Sequence, residues 1–151
     1  MDVGGGSTQK RYTCDGTVDL GQTPETIMNS LLTAGAGMIV YSQGVYKLYA
    51  GAYRIPAFTL TESDLRGPIK VRPDLSFRDL FNGVKGVFSD PSKLWQPTDF
   101  PAVRNSTYAA KDGGEVMRDI QLPFTTDSVR AQRIAKIHLE KSRQGITVDY
   151  P

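Results

Sequence analysis

Few residues in this chain could carry chemistry. There is one histidine, His138, and one cysteine, Cys14. A catalytic histidine needs a nucleophile or acid within hydrogen-bond reach and a partner that orients it. His138 instead falls at helical spacing from Ala131, Ile134 and Ala135, which makes it part of a packed apolar face. Cys14 lies in a strand-like run of Arg, Tyr and Thr with no base beside it to lower its pKa, so a small, buried, apolar role is expected. One histidine and one cysteine cannot build a zinc site of four nitrogen or sulfur ligands. Asp112-Gly-Gly-Glu115 is too short for a calcium loop. Glycoside hydrolysis needs two facing carboxylates, one of them with a raised pKa. Asp15, Asp19, Asp112, Glu115 and Asp119 could include such a pair, but spacing alone does not show one, no raised-pKa environment is visible, and carboxylates near turns are far more often solvated. Gly4-Gly-Gly-Ser-Thr8 lacks the lysine and the spaced second glycine of a phosphate loop and reads as a flexible tail. No catalytic residue, cofactor or metal is expected, and the chain reads as a non-enzyme.

Two groups of side chains suit binding better than catalysis. Trp95, Phe100 and Tyr108 stand in or beside a proline-rich stretch, Ser89 to Thr107, which reads as a long ordered loop or an interaction arm. Aromatic residues there either pin the loop to the core or anchor a partner. Arg130, Arg133, Lys136, Lys141 and Arg143 gather on the side of the last helix away from Ala131 and Ile134. That pattern suits a solvated face with cations near a helix C-terminus, or a contact to an acidic partner. Basic residues without interleaved aromatics do not suit nucleic acid.

The elements that must position these residues can be read locally. Arg11 to Val18 has the composition of a strand, turned at Asp15-Gly16. Thr23 caps a helix, with Pro24 and Glu25 in its first turn and Ile27, Met28, Leu31 and Leu32 at helical spacing, and Gly35 and Gly37 end it. Met38 to Tyr41 and Val45 to Tyr53 form a hairpin about Ser42-Gln43-Gly44. Thr61 to Asp64 is a short capped turn, and Ile69 to Arg72 a half-buried strand. Ser76 to Phe81 suits one helical turn. Strands follow at Val84 to Phe88 and at Glu115 to Leu122, the latter with Val116, Ile120 and Leu122 on one face. The last helix begins at Thr126 or Asp127 and stops at Gly145, and Ile146 to Tyr150 starts another strand. The expected class is α+β: a β-rich domain with two main helices, about 23–35 and 127–144, packed on antiparallel strands. Residues 1–9 form a flexible lead-in to a region spanning 10–151, with a seam near 54–61.

Bulk properties agree with an ordinary globular chain. Of 151 residues, 39% are hydrophobic and 23% charged, which is too apolar and too balanced for a disordered chain. The formal net charge of +2 does not by itself imply nucleic-acid binding. No apolar run approaches the roughly 20 residues of a membrane span, and the N-terminus lacks the basic and apolar regions of a signal peptide.

A series of local strings goes further. It opens with Arg11-Tyr-Thr-Cys-Asp-Gly-Thr-Val-Asp19. It continues through Asp64-Leu-Arg-Gly-Pro-Ile-Lys-Val-Arg-Pro73, Arg78-Asp-Leu-Phe-Asn-Gly-Val-Lys-Gly-Val-Phe-Ser-Asp-Pro91 and Trp95-Gln-Pro-Thr-Asp-Phe-Pro101. It closes with Asp112-Gly-Gly-Glu115, Leu122-Pro-Phe-Thr-Thr126 and Ala131-Gln-Arg-Ile-Ala135. In this order and spacing the strings resemble the central region of phage tail tip attachment proteins, the lambda-like host-specificity J proteins, from about Arg11 onward. The resemblance implies a β-rich hub at the distal end of the tail tube, homotrimeric in the full-length protein. Its implied contacts are the tail tube, the distal tail protein, the tape measure and the fibres. Such a protein is made in the bacterial host cytoplasm and works in the virion tail, without a membrane or nucleic-acid partner. No catalytic residues carry over from this region. Family members are usually longer, so the chain is expected to end inside a following β-domain. The rival readings are a small tail-associated hydrolase and a nucleic-acid-binding domain that uses the basic last helix.

Overall fold

The computed structural model describes residues 8–72, 79–145 and 147–149. Residues 1–7 of the lead-in and the first half of the turn expected at Ser76–Phe81 lie outside these residues. Helix α1 (Pro24–Thr33) starts where the sequence places it. The Thr23 side chain accepts a bond from the Thr26 N–H, and Pro24 occupies the first turn. The left-handed residue that follows α1 is Ala36 rather than a glycine, and the Gly37 N–H closes onto the Leu32 carbonyl at 3.0 Å. Strands β1 (Met38–Ser42) and β2 (Val45–Tyr49) form an antiparallel hairpin. Its two-residue turn needs positive φ at both positions, and Gln43 and Gly44 supply it at 55° and 78°. The second strand is thus shorter than the expected Val45–Tyr53. The expected seam at 54–61 falls in a stretch without helix or strand. A 3₁₀ turn, Glu62–Asp64, follows, with the Asp64 carboxylate accepting the Thr61 N–H at 2.9 Å in a capping box.

The central sheet is built around β4 (Gly83–Asp90). Strands β5 (Gln96–Asp99) and β6 (Val103–Arg104) pair antiparallel with β4, at Val87–Asp90 and Gly83–Val84 respectively, and share one of its edges. The stretch expected to be a long loop therefore supplies two short strands. Pro97 is tolerated because β5 is an edge strand, where a missing N–H leaves no ladder bond unmade. The other edge of β4 carries β7 (Met117–Leu122), which runs parallel to it from Gly83↔Met117 to Phe88↔Leu122. The class is α+β, but its central pair is parallel where antiparallel pairing is expected. Parallel strands need a crossover connection, and here the crossover includes α2 (Ser106–Asp112), capped by Asn105.

Helix α3 (Ser128–Ser142) closes the core. Asp127 caps it, accepting the Arg130 N–H at 2.9 Å. The helical spacing of Ala131, Ile134, Ala135 and Leu139 buries one face of α3 against Val84, Phe88, Phe81, Phe100 and Leu122. Helix α1 buries no residue fully, so it lies at the periphery rather than sharing the core equally. On β7, Leu122 is buried and Ile120 packs against the core, but Val116 precedes the strand and is exposed. Strand β3 (Lys70–Arg72) is exposed rather than half-buried. It pairs antiparallel with β8 (Thr147–Asp149), joined by Arg72 Nη2 to Asp149 at 2.8 Å. Ile146 and Tyr150 of the expected last strand lie outside the described residues, and the part between them, Thr147–Asp149, has its backbone partner within the chain.

Candidate partner interface

Each residue singled out from the sequence has a definite place. Phe100 is 3% exposed and belongs to the core, so it pins its strand-rich stretch and does not face a partner. Tyr108 is half-buried. Its hydroxyl donates to Glu140 Oε2 at 3.0 Å, and the Arg143 guanidinium lies over its ring at 4.6 Å. Trp95 alone of the three is exposed, at the tip of the β4–β5 hairpin.

The basic face of α3 is largely turned inward. The run from Arg11 to Val18 forms no strand; it is a strap held across α3 and the β7–α3 turn. Arg130 Nη1 donates to Thr13 Oγ1. Arg133 donates to the Arg11 carbonyl at 2.9 Å and to Gln9 Oε1 at 3.4 Å, so Gln9 at least is tied down. The Tyr12 hydroxyl donates to the Gly51 carbonyl, and the Asp15 N–H to the Phe124 carbonyl at 3.1 Å. Lys136 is exposed. It lines an open cleft of about 570 Å³ with Tyr12, Tyr53 and Arg133. Lys141 approaches the Ala36 carbonyl at 3.5 Å.

Because the strap is not a strand in a sheet, Cys14 is exposed, which corrects the buried position expected for it. Its thiol pKa is still raised by partial burial and by the Asp15 carboxylate, which makes it a slow nucleophile. His138 is half-buried beside α1 and β1. Burial, then Lys141 and Arg118, lower its pKa below the usual imidazole value.

The carboxylates are engaged individually. Asp15 accepts from Thr126 Oγ1 at 3.3 Å, Asp19 from the Gly21 N–H at 2.9 Å, Glu115 pairs with Arg104, and Asp119 faces Lys85 at 3.7 Å. Asp112 belongs to a network that nothing in the local sequence marks. Arg143 Nη1 meets Asp112 Oδ1 at 2.9 Å, Arg143 Nη2 bonds its other oxygen and the Phe81 carbonyl, and Asn82 Nδ2 reaches that oxygen at 2.9 Å. Among the described residues, no three or more His, Cys, Asp or Glu side chains gather as a metal site would require, and no helix is long and apolar enough to cross a membrane.

The Arg143 and Asn82 bonds lower the Asp112 pKa from 3.8 to about 2. A carboxyl pKa depressed on folding contributes stability above the unfolded value, and that contribution is lost as pH falls through the folded value. The denaturant midpoint should therefore drop between about pH 4 and pH 2, and the drop should flatten in Asp112→Asn. A smaller loss begins below pH 6.5, where the unfolded chain protonates His138 more readily than the fold does. Midpoints measured across pH 2–8 for the two proteins test both; an equal acid loss in the variant would remove Asp112 from the explanation.

What the sequence readings missed is the apolar surface of the hairpins. The β1–β2 register puts Ile39, Leu48, Tyr41 and Tyr46 on one face, and Tyr46 and Leu48 are 71% and 63% exposed. The Tyr41 and Tyr46 rings meet there at 4.8 Å between centroids. Met38, Val40 and Val45 are exposed on the other face. The signal was present in two runs, Met38-Ile-Val-Tyr41 and Val45-Tyr-Lys-Leu-Tyr49, which are apolar at successive positions rather than at alternate ones. Beyond the hairpin, Tyr53, Ile55, Phe58 and Leu60 are also exposed. No protein-family model matches the chain, and no curated protein matches it.

Proposed function

We propose that the chain is a structural component of a bacteriophage tail tip or baseplate hub, joining the tail tube to the distal tip and fibres during host attachment, and that it is not an enzyme. The observation that carries this reading is the apolar surface on the β1–β2 hairpin, where Tyr41, Tyr46 and Leu48 share one exposed face. A two-stranded hairpin is marginal in water by itself, and contiguous exposed apolar patches mark protein contacts. The ionisable groups add support, because the arginines of α3 and the carboxylates near them are engaged in bonds that hold the fold together. The ordered strings from Arg11 to Ala135 supply the tail-tip resemblance. On this reading the partners are the tail tube, the distal tail protein, the tape measure, the fibres and other copies in a homotrimer of the full-length protein. The chain then resides in the virion tail after synthesis in the host cytoplasm.

The test is the composition and cross-linking of disrupted virions from a phage that encodes the chain. The expected result is that the chain copurifies with the tail tip and cross-links through the β1–β2 hairpin to another tail protein. Absence from the particle overturns the reading. So does turnover of peptidoglycan, peptide or ester substrates that is abolished by His138→Ala or by loss of one carboxylate.

A further inference from the structure

The tip of the β4–β5 hairpin departs from what fold stability favours. Leu94 and Trp95 are successive left-handed residues, with φ of 56° and 62°. Asparagine or glycine takes this conformation at far lower cost than a large side chain does. Both side chains nevertheless face outward, Leu94 85% exposed and Trp95 55%. The tip is also held firmly. Asp90 Oδ1 accepts the Ser92 N–H at 2.9 Å and its hydroxyl at 2.7 Å, and the Trp95 N–H donates to the Asp90 carbonyl at 3.0 Å. A bulky pair in a strained, fixed and exposed turn gains nothing from the chain's own core. It is built as a preorganised knob, and tryptophan is the side chain most enriched where binding energy concentrates.

The same chain carries a matching hole. Between the end of α1, strand β2 and the strap is a cleft of about 250 Å³, lined by Leu31, Leu32, Leu48, Tyr49, Tyr12 and Cys14. An apolar cavity of about 150 Å³ already takes benzene, so this cleft has room for an indole. Its rim continues onto the exposed Tyr41–Tyr46–Leu48 face. A charge of each sign lies close by: the Asp15 carboxylate is near enough to act on Cys14, which lines the cleft, and Lys93 lies two residues from Trp95 on the knob.

We infer that the chain associates with a second copy of itself, Trp95 of one copy entering the α1–β2 cleft of the next, with Leu94 against Leu48 and Lys93 near Asp15. Knob and hole are different surfaces, so the contact is head-to-tail and any open assembly keeps one knob and one hole unfilled, at its two ends, until a ring closes. The contact does not depend on the chain's being a tail protein. Absence from virions would leave it standing, and a monomeric chain would leave the tail assignment standing.

Two natural probes report on it, because Trp95 is the only tryptophan and Cys14 the only cysteine. From about 1 μM to about 1 mM protein, a range that spans weak association, Trp95 emission should shift to the blue. Over the same range the rate of Cys14 modification by a small thiol reagent should fall at least threefold. Leu48→Asp, at an exposed position, should abolish both changes. Leu94→Asn should abolish both while keeping or raising the melting temperature, since it relieves the turn; a role confined to the fold would not separate the two readouts in this way. The inference is overturned if emission and labelling rate do not depend on concentration, if only one of them changes, or if both changes survive Leu48→Asp.

Discussion

Replacing Asn82 with leucine should lower the melting temperature by about 6–12 °C, although the two side chains are close in size. Asn82 is 1% exposed, and all its polar atoms are used. Its Oδ1 accepts the Val116 N–H at 2.8 Å, and its Nδ2 donates to the Gly114 carbonyl at 2.7 Å and to Asp112 Oδ2 at 2.9 Å. One side chain thus joins the start of β4, the end of α2 and the approach to β7. It also helps to place the Asp112 carboxylate, to which Arg143 donates from the end of α3. Leucine leaves the part-buried Val116 N–H and Gly114 carbonyl bonds unmade and removes one of the two donors to Asp112 Oδ2. Unmade bonds of this kind cost about 1–3 kcal/mol each, partly recovered by relaxation and water. A total of about 3 kcal/mol corresponds to the stated shift for a domain of this size. Asn82→Asp should be at least as harmful, because it loses both donated bonds and places a second carboxylate beside Asp112. Thermal melts of the two variants test the argument; a shift under about 2 °C for both would mean that water replaces the network at little cost.

Gly86→Ala should be more damaging still, and here the cause is steric. Gly86 sits in the middle of β4 at φ 156° and pairs with Ile120 of β7. A methyl group at its Cβ would overlap the Ile120 carbonyl oxygen and lie 2.8 Å from the carbonyl carbon and 3.0 Å from the nitrogen. These are backbone atoms, so no rotamer change relieves the clash. The parallel β4–β7 ladder must open at its centre, and it holds Val84, Phe88 and Leu122 against α3. A cost of about 3–5 kcal/mol is expected, enough to unfold a chain of marginal stability or lower its melting temperature by about 10 °C or more. Gly83→Ala provides the comparison, since the nearest atoms there are the sulfur and methyl of Met117, a flexible side chain that can move. Gly83→Ala should therefore retain more stability than Gly86→Ala. The reverse order, measured by denaturant unfolding, would contradict the reading of Gly86–Ile120 as the tightest point of the β4–β7 pairing.

These two positions show how function and fold divide the molecule. The Asn82–Asp112–Arg143 network and the Gly86–Ile120 contact lie on the core side and set stability. The β1–β2 face and the Leu94–Trp95 tip lie outside, where substitutions should leave the fold largely intact and change association. Leu48→Asp and Asn82→Leu should therefore separate cleanly, the first altering assembly and the second melting.

The sequence by itself determined whatever depends on neighbours a few residues apart. The Thr23 and Asp127 caps, the helical spacing of Ala131, Ile134 and Ala135, the Gln43-Gly44 turn and the Thr61–Asp64 box are local bonds and local periodicities, and each stands where the residues place it. The α+β class follows from them. Only the tertiary structure decided which strands meet and which side chains the core takes up. β7 joins β4 in parallel, β8 crosses 77 residues to join β3 through Arg72 and Asp149, and Pro97 sits in a strand because that strand is an edge. Phe100 and Trp95, five residues apart, look alike in sequence, yet one is buried and the other displayed, because Trp95 sits in the turn before β5 and Phe100 follows β5 into the core beside α3. Arg130 and Arg133 read as a solvated face until the strap lies across them, and Cys14 reads as buried until the same strap proves not to be a strand. Hydrogen bonds and packing between distant segments are set by the closure of the whole chain, and no window of local sequence contains both partners.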